Sequence, residues 1–394
     1  MARSLRPGRS TVVLAVVALA VSILAAQTAQ AQKEAVLYSF KNNADGIFPS
    51  SRIIPDNAGN FYGATSYGGT FGRGTIFKLS KQGKTILFSF DGRDGKAPSS
   101  LLLDSTGNFY GATGEGGLLA CNIGSGCGTV FKLDATGKET VLHSFSASKV
   151  DGGYPTLSLV LDATGNLYGT TSLGGPSKSG TIFKLDASGN ETILYSFTGG
   201  NGGPDGAGPN GVIMDAAGNL YGTTSYGGTF ISWGTVFKLD ASGKETILHS
   251  FAYGADGGNP AAGLVMDASG NLYGTTTITE FGGAGTIFKI DPAGNYTILH
   301  TFSGLGDGGI PSSTLMMDAA GNLYGETAFG GTYGFGTVFK YDTAGNETIL
   351  HSFGGTADGK YPQSGLSMNA AGHIFGTTQQ GGKFGLGTVF TIIP

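Results

Sequence analysis

The sequence predicts an all-β protein: a seven-bladed β-propeller of four-stranded antiparallel blades, closed by the N-terminal strand completing the last blade. Three observations carry this. Four short segments recur in fixed order along the chain, turn-forming residues join them, and the repeat is offset at its two ends.

Composition prepares the ground. Gly makes up 72 of 394 residues, about 18 % against a usual ~7 %. A helical protein would suffer about 1 kcal/mol for each Gly inside a helix. Collagen is excluded because Gly does not fall at every third position. Only 13 % of residues are charged, and 25 Phe and 16 Tyr supply a core, the opposite of a disordered chain.

The first recurring segment, G-N-(L/F)-Y-G, begins at Gly59, Gly107, Gly165, Gly218, Gly270 and Gly321, with a decayed seventh copy at Gly372. Successive copies are 48, 58, 53, 52, 51 and 51 residues apart. The second, G-T-(I/V)-F, starts at Gly74, Gly128, Gly180, Gly234, Gly285, Gly336 and Gly387. The third resembles E-T-I-L-H-S-F and ends at Phe40, Phe90, Phe145, Phe197, Phe251, Phe302 and Phe353; the fourth, such as Gly263–Asp267, precedes each G-N-L-Y. All are short, rich in β-branched and aromatic residues and bounded by turn residues, the signature of strands. D-x-x-G links such as Asp267–Gly270 and Asp240–Gly243 suit tight hairpins, with Asp bonding back to the turn and Gly taking positive φ. Each repeat therefore reads as a meander a-b-c-d, the form of a propeller blade.

The ends explain the closure. Glu34–Phe40 is a d-type strand with no a, b or c before it, and Gly387–Ile393 is a c-type strand with no d after it. The N-terminal strand is expected to complete the last blade and leave no unpaired edge. An open solenoid has no use for this offset.

Residues 1–31 read as a signal peptide, leaving 32–394 as the propeller domain. Arg3, Arg6 and Arg9 precede an uncharged run from Thr11 to Ala26 and an Ala29-Gln30-Ala31 cleavage site. The run is short of the ~20 residues that span a bilayer, so no membrane span is expected after cleavage. Without a twin-Arg pair the signal is of Sec type, and a secreted or periplasmic location follows. Cleavage removes three Arg and takes the net charge from -4 to -7, with 20 basic and 27 acidic residues remaining. That balance argues against nucleic acid as partner, since such binding rests on basic patches.

The repeats, for instance Asp215–Phe230 followed by Gly234–Asp240, resemble the Gloeo/Verruco (GloVer) repeat family, tandem repeats of exported bacterial proteins. The resemblance covers roughly residues 34–394. The D-x-x-G-N-L-Y piece alone is similar to several bacterial propellers, including regulator-type, gluconolactonase-like and streptogramin-lyase-like ones. Members of the GloVer family often end in a sorting anchor, whereas Pro394 follows a strand with no apolar tail. The resemblance implies no established activity.

In such a meander the b–c and d–a loops share one rim, and the a–b and c–d turns share the other. The first set is longer and more variable, so that rim is the candidate functional face. Every d–a loop carries D-G-x-x-P, with Asp45, Asp94, Asp151, Asp205, Asp256, Asp307 and Asp358. These rim carboxylates read as turn chemistry, with Asp capping and Pro stiffening the start of strand a; a cation- or sugar-binding ring is the competing reading. The b–c loops hold Tyr67, Phe71, Tyr226, Phe230, Trp233, Phe281, Phe329, Tyr333, Phe335 and Phe384, and the d–a loops add Phe48, Tyr154, Tyr253 and Tyr361. Flat apolar rings beside Gly and Asp suit a polyhydroxylated ligand, while packing between blades is the competing role. Trp233, the single Trp, is the leading candidate.

Other residues point less far. His143, His249, His300 and His351 share one strand-d position with Tyr38, Phe88 and Tyr195, which marks a packing slot. The Lys of G-T-V-F-K reads as a solvated strand position. Glu115 and Glu326 break the repeat at strand b as isolated carboxylates. Cys121 and Cys127 lie in an enlarged b–c loop; in an exported protein a disulfide is expected, and a metal site would want more ligands. No catalytic residue, metal or cofactor is expected. The predicted function is an exported, monomeric, non-catalytic scaffold that engages glycan or a surface protein through the loop rim. The alternative is a polysaccharide- or lactone-acting lyase or hydrolase with its site at the channel mouth.

Overall fold

A computed structural model describes residues 33–393, except 119, 120, 122, 123, 157, 200–202, 230–232, 281 and 282. The signal peptide expected over 1–31 lies outside the described residues, as do Phe230 and Phe281.

Seven antiparallel sheets make the seven blades. Strands b, c and d are continuous; in blade 4, for example, they are Leu220–Tyr226, Thr235–Leu239 and Glu245–Ser250. A 3-10 turn spans Asn43–Asp45. The N-terminal strand Lys33–Ser39 pairs with the last strand Thr388–Ile393, from Lys33 opposite Ile393 to Ser39 opposite Thr388. Blade 7 is thus built from both ends of the ring, as expected.

Strand a departs from the expected continuous form. Blades 1, 3 and 7 break it in two, as in Ile47–Pro49 and Ile54–Pro55. Blades 2 and 4 keep it whole but with a register shift just after Pro98 and Pro209. Proline has no N–H for the ladder, so the D-G-x-x-P that starts strand a also interrupts it.

The core sits between blades and repeats seven times. The Phe that ends strand d packs edge-on against the Phe of strand c in the next blade: Phe40 on Phe77, Phe90 on Phe131, and so on to Phe353 on Phe390, with centroids 5.1–5.5 Å apart. All fourteen rings are buried. An edge-to-face pair contributes about 0.5–1.5 kcal/mol beyond its burial. The strand-c ring lies across strand b, where a Cβ on Gly325 would fall 2.4 Å from Phe339 Cζ. That contact requires the second Gly of G-N-L-Y-G.

Proline makes the other seam. Pro362 Cδ lies against Gly336, where a Cβ would sit 2.7 Å away, and Gly336 has φ 100°. The residue before each of these prolines takes positive φ, including Phe48, Tyr154, Ile310 and Tyr361. Its N–H donates to the previous blade's b–c loop, as from Tyr361 to Phe335 O and from Ile310 to Ala284 O. A backbone conformation that non-Gly residues rarely adopt is held at every seam by a blade-to-blade hydrogen bond.

Candidate functional site

The b–c and d–a loops meet on one rim. Gly69 N–H donates to Asn43 O, Gly117 N–H to Gly92 O and Gly331 N–H to Leu305 O. On that rim Tyr67, Phe71, Tyr226, Phe329, Tyr333 and Phe384 are 41–62 % exposed. Trp233 and Phe335 differ: both are half-buried. Trp233 stacks on Tyr253 with centroids 4.1 Å apart and packs on the core around Phe251 and Phe288. Phe335 meets Tyr361 edge-on and packs on the core around Phe353. A rim cavity of about 370 Å³ collects Glu115, Tyr154 and Asn210, and the Tyr154 hydroxyl has no hydrogen bond. The Cys121–Cys127 disulfide closes its loop on this rim, with Cα atoms 5.4 Å apart.

The opposite rim is built from D-x-x-G turns. Asp215 accepts from Ala217 N, Asn219 N, the Asn219 amide and the Tyr221 hydroxyl. Although partial burial pushes the Asp215 carboxyl up, these donors outweigh it and hold the carboxyl below its usual range. Beside the a–b turns of blades 1–6, the Lys of strand c lies over the strand-b Tyr, as Lys238 over Tyr221 at 5.5 Å. That lysine is a cation–π partner rather than merely a solvated position.

None of the seven D-G-x-x-P carboxylates lines the central cavity. Each caps its own loop: Asp205 accepts from Thr198 N and Oγ1, Asp358 from Gly354 N, and Asp94 from Asp91 N and Gly92 N. Each also receives the strand-d residue two before the buried Phe wherever that residue has a polar tip. Tyr38 and Tyr195 donate to Asp45 and Asp205. His143, His249, His300 and His351 bring Nε2 within 3.1–3.6 Å of Asp151, Asp256, Asp307 and Asp358. The packing-slot reading is therefore incomplete: these histidine rings do pack on the following Phe, and they also pair with carboxylates.

The next blade supplies a third group, from the start of its strand d. It is Lys84 beside Asp45, with Nζ 3.1 Å from Oδ1, and Tyr296 beside Asp256, stacked on His249 with centroids 3.9 Å apart. In the other five gaps it is Glu34, Glu139, Glu191, Glu245 or Glu347. Burial pushes each of these up to about 7, and a neighbouring Asp adds to the rise in all five. For Glu191, His143 works against the rise and Asp151 with it. Burial pulls His249, His300 and His351 down against their Asp partners. At His143 burial pulls down as well, but Asp151 and Glu191 together outweigh it and hold the ring above its usual value. The donor atoms of His143, Asp151 and Glu191 lie within 4.8 Å of one another, close enough to share a cation. Asp151 is already engaged by Ser146 N and Oγ.

The two irregular glutamates separate. Glu115 pairs with Lys96 at 2.5 Å on the rim. Glu326 is 1 % exposed, and its Oε2 accepts from Gly365 N at 2.8 Å. Burial pushes it up to about 7 against the pull of Gly365 N–H, Ser313 and Arg52. The seven strands a enclose a central cavity of about 510 Å³.

The profile of the Gloeobacter/Verrucomicrobia repeat matches residues 23–204 and 200–390. The chain belongs to this repeat family. A search of curated proteins gives no match. Among solved structures, the chain is similar to the extracellular domain of a putative one-component system from B. thetaiotaomicron, with TM-score 0.59 and 11 % identity over 91 % of this chain and 40 % of that one. The chain spans about two fifths of that structure's length. It is also similar to a gluconolactonase from Xanthomonas campestris, with TM-score 0.45 and 14 % identity over 87 % of this chain and 98 % of that one. The first of these likenesses concerns the fold alone. Among the described residues no helix is long and apolar enough to cross a membrane.

Sequence reasoning missed the three-residue gaps of this Gloeobacter/Verrucomicrobia repeat protein. Their Asp stands seven to ten residues past its His or Tyr, and the third group comes from the following repeat. The recurrence of E-T-I-L was visible, but no local period ties its Glu to the previous blade.

Proposed function

We propose that this protein is an exported, non-catalytic binding propeller that engages a glycan or another cell-surface partner through the b–c/d–a rim. One observation carries the reading. Of the large apolar side chains exposed among the described residues, all but Leu37 and Ile393 lie on that rim. The opposite rim offers self-satisfied Asp turns. Exposed rings on rigid loops fit a neutral polyhydroxylated ligand, whose C–H faces stack while its hydroxyls bond to Gly backbone and carboxylates. The separation of the two irregular glutamates, one ion-paired and one buried, speaks for binding over turnover. Export is supported by the signal-like N-terminus and by the disulfide.

The test is a glycan-array screen of the mature protein beside a turnover assay on the same sugars. Binding without product, weakened at least about tenfold by Tyr226→Ala with Tyr333→Ala, is the expected result. Product formation that survives repurification would replace this reading with the lyase or hydrolase one. Binding indifferent to both tyrosines would move the site off the rim.

A further inference from the structure

The central cavity carries an inference independent of the rim. Four residues before the a–b turn, every strand a faces the lumen at one level. Six blades place a small residue there: Ser100, Ser158, Gly211, Gly263, Thr314 and Gly365. Blade 1 places Arg52, which lines the cavity. Its side chain is open to the water of the lumen, yet enclosure by protein pulls its pKa below the usual value. Among the described residues the guanidinium has no hydrogen-bond or ion-pair partner. Such a group has five N–H donors in a planar fork, here left to the water of the lumen and free to meet a ligand's acceptors.

We infer that the channel is a binding site for a small organic oxyanion, a carboxylate or phosphate ester carrying hydroxyls, held by Arg52. The fork matches two oxygens of such a group at once. The lining also supplies the hydroxyls of Ser158 and Thr314, the latter accepting from Gly263 N–H. A cavity of about 510 Å³ lies within the range of small-molecule sites. Glu326 is the second departure from the repeat, standing where the other blades have Ala64, Ala112, Thr170, Thr223, Thr275 and Thr377. It sits behind Gly365 at the level of Arg52, bonded to that glycine's N–H. It pulls on the guanidinium without closing an ion pair, which leaves the fork free for a ligand.

Calorimetric titration of the mature protein with glucuronate, glucose 6-phosphate, inorganic phosphate and neutral glucose tests this. At least one anion is expected to bind at millimolar or tighter affinity and glucose about tenfold or more weaker; which anion binds best tells carboxylate from phosphate. Arg52→Ser installs the residue that blades 2 and 3 already carry, so the fold should survive, as its melting temperature will report. It should lose anion binding at least about tenfold, and Glu326→Gln, which keeps an acceptor for Gly365, should not weaken it. No binding by any anion at about 10 mM, or equal binding by Arg52→Ser, would overturn the inference. Loss in Glu326→Gln with Arg52→Ser unaffected would place the contact on Glu326 and overturn it equally. Tyr226→Ala with Tyr333→Ala should leave these titrations unchanged, which separates this site from the rim.

Discussion

Removing the N-terminal strand tests the closure of the ring most directly. Lys33–Ser39 forms an antiparallel ladder on Thr388–Ile393, and Phe40 N–H donates to Gly387 O at 3.1 Å. Phe40 is wholly buried and packs edge-on against Phe77 of blade 1, 5.4 Å between centroids. Phe40→Ala should cost about 3–5 kcal/mol in lost burial and cavity. With an unfolding entropy of about 2.1 cal/mol/K per residue over roughly 360 residues, that lowers the melting temperature by roughly 5 °C. Deleting residues 33–41 also removes the ladder, whose hydrogen bonds contribute about 0.5–1.5 kcal/mol each. The total approaches the 5–15 kcal/mol that typically separates folded from unfolded states, so the truncated protein should melt more than about 10 °C lower or fail to fold. Leu37→Ala is the control: Leu37 is 37 % exposed and its loss should matter little. Circular dichroism melts of the three variants are the assay. A truncation or a Phe40→Ala that melts within about 2 °C of the parent would refute closure by this strand.

Replacing Cys121 and Cys127 by Ser should leave the propeller folded and remove less than ~3 kcal/mol, since so short a loop restrains the unfolded chain little; thiol titration of the denatured, unreduced parent should find no free thiol. Glu245 rises from 4.5 to about 7 through burial, with Asp205 adding to it, so the folded state favours its protonated form. Its contribution to stability is present below about 4.5 and lost as pH climbs through about 7. Glu245→Gln should therefore raise the melting temperature more at the top of that window than at the bottom, and an equal gain at both ends would contradict the gap geometry. Lys84 is 2 % exposed on its ion pair with Asp45, so Lys84→Met should cost about 3 kcal/mol by leaving that carboxylate without its cation, measured by urea unfolding; restoring most of the loss with Asp45→Asn would confirm the pairing.

The sequence by itself determined the blade count, the strand order and the closure. Repeats of 48–58 residues with alternating strand and turn signals are local information, and the offset of d and c strands at the chain ends allows one ring. It also marked the b–c and d–a loops as the variable rim and paired Cys121 with Cys127. It did not tell which of the rim aromatics are free: Tyr226 and Tyr333 are exposed while Trp233 lies on Tyr253, a contact between a b–c loop and the following d–a loop that no local pattern encodes. Only the tertiary structure placed His143 on Asp151 and Glu191 or set Lys84 on Asp45, because these groups meet across a seam between repeats. The channel residues show the same division. Arg52 was one ordinary residue of a strand a, and Glu326 an isolated exception in a strand b. Closing seven blades around one axis put Arg52 among six small residues in a shared lumen and buried Glu326 behind Gly365, where burial raises its pKa.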